Sequence, residues 1–180
     1  DMVGCFTDLL ALGVVPLLAP DIADWLERSP DNEQRLLAMF DALDRWVQEG
    51  GEPGYGFRLA CLYGPMVEDE LDLDQRTVPV KEVPQVPAFL LSRLQQHARL
   101  PRAAIGRAIH IMLAQELMDP EREALRGRRR RRRKAASERL LASEGFSDAL
   151  EFLRCRLEAA DRDLGPYDEW HEMGLSFPGP

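Results

Sequence analysis

The chain has 180 residues, of which 45% are hydrophobic and 30% charged, and a formal net charge of −8. Such a composition excludes a disordered chain and suffices for one core, or for two small helical subdomains sharing one. No apolar run approaches the ~20 residues that span a bilayer. The three cysteines Cys5, Cys61 and Cys155 lie among apolar neighbours, give no disulfide framework, and point to a reducing, cytoplasmic compartment.

Leu9–Ala19 is apolar but short, broken by Gly13 and Pro16 and without a basic segment before it, which argues against a signal peptide. The first residue is Asp1 rather than an initiator Met, so the chain reads as an excised piece of something longer. Asp21 to Glu27 puts Ile22, Trp25 and Leu26 on one helical face. Ser29 is placed to cap the next helix, with Pro30 at its first position, and Leu36, Leu37, Phe40, Leu43 and Val47 form its stripe, with Trp46 beside it. Gly50-Gly51 stops that helix. Arg58 to Tyr63 reads as the buried start of another, ended by Gly64-Pro65.

Residues 66–88 have a different texture, with Glu68, Asp69, Glu70, Asp72 and Asp74 crowded together before Pro79, Pro84 and Pro87. This reads as an acidic, proline-rich linker between two helical subdomains, residues 1–65 and 89–173, followed by a frayed tail at 174–180. Helical pattern resumes at Phe89. Pro101 opens a helix with Ile105, Ile109, Met112, Leu113 and Leu117 on its inner face, and Asp119-Pro120-Glu121 starts another that runs into the arginines. The last clear helix carries Phe146, Ala149, Leu150, Leu153 and Leu157, and Gly165-Pro166 ends it, with a short piece around Trp170 beyond. With no sustained strand alternation, the expected fold is all-α.

Charge is the most informative feature. Residues 121–140 hold ten basic and three acidic side chains, in a chain that is acidic overall. The six arginines Arg128 to Arg133, followed by Lys134, surround a helix with charge at about 100° per residue and leave no face to bury. Pairs such as Arg128 with Arg132 repel at i,i+4 by roughly 0.2–0.5 kcal/mol each. A segment that repels itself wants a polyanion, and the planar arginine fork suits phosphate. The alternatives are a solvated charged face, docking of the run on the acidic patch Glu68 to Asp74, or a nuclear-localisation signal.

Catalytic constellations are missing from the pattern. The acidic cluster lacks the calcium loop, and His97, His110 and His171 have no metal spacing, His110 reading as a satisfied near-core side chain. Gly50 to Gly56 has no Lys-Ser/Thr after it, and there is no nucleophile elbow. Most aromatic residues fall on core stripes; Tyr55 and Tyr167, in turns, are the candidates for stacking.

Three stretches, in order, resemble the C-terminal half of bacterial poly(A) polymerase, in the family of class II tRNA nucleotidyltransferases. They are FTDLLALGVVPLLAPDIADWL with RLLAMFDALDRWV and FRLACLYGPMVEDEL; LLSRLQQHARLPRAAIGRAIHIMLAQELM; and RRRRRRKAASERLLASEGFSDALEFLRCRLEA. The resemblance implies the helical neck, body and tail of an enzyme that transfers AMP from ATP to RNA 3′ ends with magnesium. Its catalytic head, with Gly-Ser and Asp-x-Asp motifs, has no counterpart here, so this chain would hold no catalytic residue, metal or cofactor and would grip RNA for that head. The acidic loop at 66–88 departs from the pattern. The expected RNA contacts are Arg126, Arg128, Arg129, Arg130, Arg131, Arg132, Arg133, Lys134 and Arg139, with Arg102 and Arg107 extending the track, and no DNA or membrane partner. Two rivals remain: the same region of a CCA-adding enzyme, and a helical protein-interaction module whose arginines bind an acidic partner.

Overall fold

The computed structural model describes residues 1–72, 83–120 and 130–177, with the side chains at 72, 96, 97 and 130–133 outside the description. It is all-α: 81% helical, with ten helices and no strand among the described residues. These are α1 (Met2–Ala11), α2 (Val15–Leu18), α3 (Pro20–Arg28), α4 (Pro30–Gln48) and α5 (Tyr55–Asp72), then α6 (Gln85–Ala98), α7 (Arg102–Met118), α8 (Arg130–Leu141), α9 (Phe146–Ala159) and α10 (Gly165–Ser176).

The helix starts follow capping chemistry. Ser29 Oγ accepts from the Asp31 amide at 3.3 Å, and Pro30 takes the first position of α4. Asp44, on α4, accepts from the Met2 and Val3 amides at 2.7 and 3.2 Å, so a carboxylate from another helix satisfies the orphan donors of α1. Asn32 donates to the Trp25 carbonyl at 2.7 Å and closes the α3–α4 corner.

On α4, Leu36, Phe40 and Leu43 are fully buried, but Val47 is exposed, contrary to its expected place on the stripe. Trp46 lies against Phe57 at 4.7 Å instead and covers the end of the core. A single apolar cluster joins α1–α7 with Phe152 and Cys155 of α9; a second joins the ends of α7 and α8 with α9 and Trp170 of α10.

The first residues of the expected linker, 66–72, are helical. Helix α5 does not end at Gly64-Pro65 but runs on to Asp72, and Met66, Val67 and Leu71 are buried in the same cluster as the residues on either side. Pro65 removes one helical hydrogen bond, at about 3 kcal/mol in an exposed helix; burial of the following turns offsets it. Gly64 is required for a packing reason, since a Cβ there would stand 2.8 Å from the Phe152 ring. The remaining linker residues, 73–82, lie outside the described residues.

Helix α7 was expected to show one inner face. It is buried nearly all round from Ile111 to Met118, because α5, α6, α8, α9 and α10 all pack on it, and a helix surrounded by others needs no polar face. Gly165-Pro166 begins α10 rather than ending α9, which stops at Ala159. The buried Trp170 indole donates to the Met118 carbonyl at 3.1 Å and ties α10 to the end of α7. Helix α10 also runs three residues into the expected frayed tail; 178–180 lie outside the described residues.

Candidate nucleic-acid interface

Helix α8 carries the basic run at its start and its attachment at its end. Arg130 to Arg133 form its first turn, while Arg126, Arg128 and Arg129 lie outside the described residues. Lys134 and Arg139 are exposed, and Lys134 has Glu138 at 4.0 Å, one turn on. Leu140 is buried, with Ala136 and Leu141 packed beside it in the second cluster. Three apolar side chains thus hold the charged helix to the body. Weak apolar patterning in the sequence around them left this attachment unread.

The turn after α8 is stitched to the middle of α7. Arg107 donates from Nε to Asp148 at 2.7 Å and from a terminal nitrogen to the Glu144 carbonyl at 2.8 Å. His110 Nε2 lies 3.4 Å from Ser143 Oγ, and Ser143 donates to the Leu140 carbonyl at 2.7 Å. Gly145 passes so close that a Cβ would come within 2.4 Å of His110 Nε2. Burial first, and the Arg107 guanidinium second, hold the His110 imidazole below its usual pKa, with Asp148 opposing. Arg107, expected as a phosphate contact, therefore has intramolecular partners that place it in the fold.

Arg102 is exposed in the first turn of α7. The chain toward the run leaves the other end of that helix, about 24 Å away along the axis at 1.5 Å per residue. The two expected extensions of the track thus occupy different places, one in a tertiary joint and one at the far end of a helix.

The acidic residues 68–70, expected to be solvated in a linker, are bonded to arginines in the fold. Asp69 accepts from the Trp25 indole at 2.8 Å and from Arg35 at 2.5 Å; Glu68 accepts from Arg156 at 3.0 Å; Glu70 accepts from Arg28 at 2.6 Å. Arg156 also bonds Asp119, a fully buried carboxylate that takes a further bond from Arg162 at 2.9 Å. This chain of ion pairs joins α3, α4, α5, α9 and the end of α7. Little in the sequence signals it: Arg156 stands between Cys155 and Leu157, but Glu151, Arg154 and Glu158 give the same stretch the look of an ordinary charged helix.

Of the cysteines, Cys61 and Cys155 are buried, and burial pushes the Cys155 thiol up to about 12 and raises Cys61 as well; Cys5 is exposed, contrary to expectation. Tyr55 is exposed, whereas Tyr167 stacks on His171 at 5.7 Å. The Tyr167 hydroxyl donates to Glu151 at 3.4 Å and Asp168 lies beside it, carboxylates that disfavour a phosphate chain there. No described helix is long and apolar enough to cross a membrane. No protein-family model matches the chain, and neither a curated protein nor a solved structure does.

Proposed function

We propose that this chain is an RNA-binding helical region acting in the cytoplasm, the counterpart of the neck, body and tail of a bacterial poly(A) polymerase. It grips RNA near the 3′ end by its backbone. Adenylyl transfer in mRNA polyadenylation, with ATP and magnesium, belongs to a catalytic head that this region serves. The observation that carries the reading is the disposition of arginines. Arg28, Arg35, Arg93, Arg107, Arg154, Arg156 and Arg162 are each bonded to carboxylates in the fold. The run stands at the start of α8 with no Asp or Glu within four residues of Arg128 to Arg133 in the sequence, and Lys134 and Arg139 of that helix are exposed. A helix encircled by like charge is stabilised when a polyanion neutralises it, and contact of this kind is with phosphate rather than base edges.

The test is RNA affinity as a function of salt. Log affinity should fall with log salt by about 0.7 per phosphate contacted. Replacing Arg128 to Arg133 by Ala should remove most of that slope while circular dichroism stays helical. Unchanged RNA affinity in that variant overturns the assignment.

A further inference from the structure

A second surface suits a different part of a nucleic acid. Helices α3, α5 and α6 enclose an open cleft of about 540 Å³, within the ~300–1,000 Å³ range of small-molecule sites. Each of two walls is a single helix face. On α3 it is Asp21, Asp24 and Arg28, three and seven residues apart; on α6 it is Gln85, Phe89 and Arg93, spaced four and eight. Asp21, itself buried, bonds Arg93 at 2.5 Å and so ties the start of the first stripe to the end of the second. Asp24 and Phe89, each in the middle of its stripe, line the cleft between those ends. Arg28 is bonded to Glu70 of the third wall at 2.6 Å, and Met66 and Leu90 supply an apolar floor.

What remains uncommitted defines the ligand. Both arginines have carboxylate partners, and the three carboxylates outnumber them, so the cleft disfavours an anion. Asp24 and Gln85 are exposed and have no hydrogen-bond or ion-pair partner among the described residues. Phe89 is 63% exposed, and its ring stacks on no other aromatic ring or cation among the described residues. A flat ring fits such a cleft when it carries an amino donor on its edge: Phe89 stacks on it, Asp24 accepts from the amino group, and the Gln85 amide completes the edge.

We propose that the cleft holds one amino-bearing nucleobase of a single RNA strand, with Phe89 as the stacking platform and Asp24 as the acceptor that rejects uracil. This deepens the RNA-binding reading and rests on it. Cytosine and uracil are similar in size and differ at one edge group, an amino donor against a carbonyl, so they isolate the Asp24 contact. The measurement is binding of short oligo(C) and oligo(U) RNA to the whole chain by fluorescence anisotropy. Oligo(C) should bind about 5- to 10-fold tighter, as one good base-edge contact allows. Asp24→Ala, a favourable exchange on an exposed helix position, should abolish that preference and leave the salt slope unchanged. Phe89→Ala should weaken both oligonucleotides about tenfold or more, and Phe89→Tyr should restore them. Equal affinity for the two RNAs, or a preference that survives Asp24→Ala, overturns the proposal. Loss of the salt slope on removing the arginine run, with the base preference retained, supports both readings. A base preference together with a slope indifferent to the run would sink the backbone reading and leave the cleft standing.

Discussion

The arginines of the ion-pair chain and the arginines of the basic run are the same chemistry in opposite circumstances. Arg156 is 6% exposed, held between Asp119 and Glu68, and contributes to the fold by joining helices that an unpaired charge would force apart. The run has six arginines in succession, so a helix cannot supply each with a carboxylate at i±3 or i±4. What a guanidinium does is therefore decided by the carboxylates placed beside it. One set is satisfied within the chain, and the other has no carboxylate near it in sequence, which is why we propose a polyanion as its partner.

That contrast can be broken most severely at Asp119. Asp119→Ala leaves Arg156 without one of its partners at a buried site and should cost about 3–5 kcal/mol, read from urea unfolding. A loss under about 1 kcal/mol would show that the buried network contributes little. Next in size is Gly145→Ala, where the new methyl meets His110. Overpacking of this kind costs about 1–3 kcal/mol, and calorimetry should show a lowered Tm. Removing the run, Arg128 to Arg133→Ala, should by contrast leave stability unchanged or slightly raised, since repulsion at i,i+4 is relieved and helix propensity improves. A large drop in Tm would mean that these arginines are structural.

The smallest expected effect is one of pH. The folded-state pKa of His110 lies below its ordinary value of 6.5. On lowering the pH the unfolded chain therefore takes up this proton first. Its contribution to stability is fully present above about pH 6.5 and is lost as the pH falls through the folded value. Subtracting the unfolding midpoints of His110→Gln from those of the unaltered chain, at about pH 7.5 and about pH 5.5, should show the difference shrinking on the acid side.

Helix positions were legible where local chemistry acts alone. Ser29-Pro30 starts α4 as its capping pattern says, and Ile22, Trp25, Phe40 and Leu153 are buried where their spacing puts them. The same reasoning failed at Gly64-Pro65, because a break signal is a local cost and the burial of Met66 and Leu71 that offsets it is not local. It failed at Val47 for the related reason that Trp46, one position away, covers the neighbouring core.

The candidate sites divide in the same way. The density of charge at 128–134 needs no fold to be seen. The pairing of Glu68, Asp69 and Glu70, the intramolecular partners of Arg107, and the cleft shared by Asp24, Gln85 and Phe89 join residues up to 88 positions apart. By itself, then, the sequence determined that the chain is helical and where its positive charge is concentrated, since both follow from composition and neighbours a few residues away. Only the tertiary structure decided which charges are consumed and which surfaces are left for a partner, because a side chain's free valence depends on what distant helices bring against it.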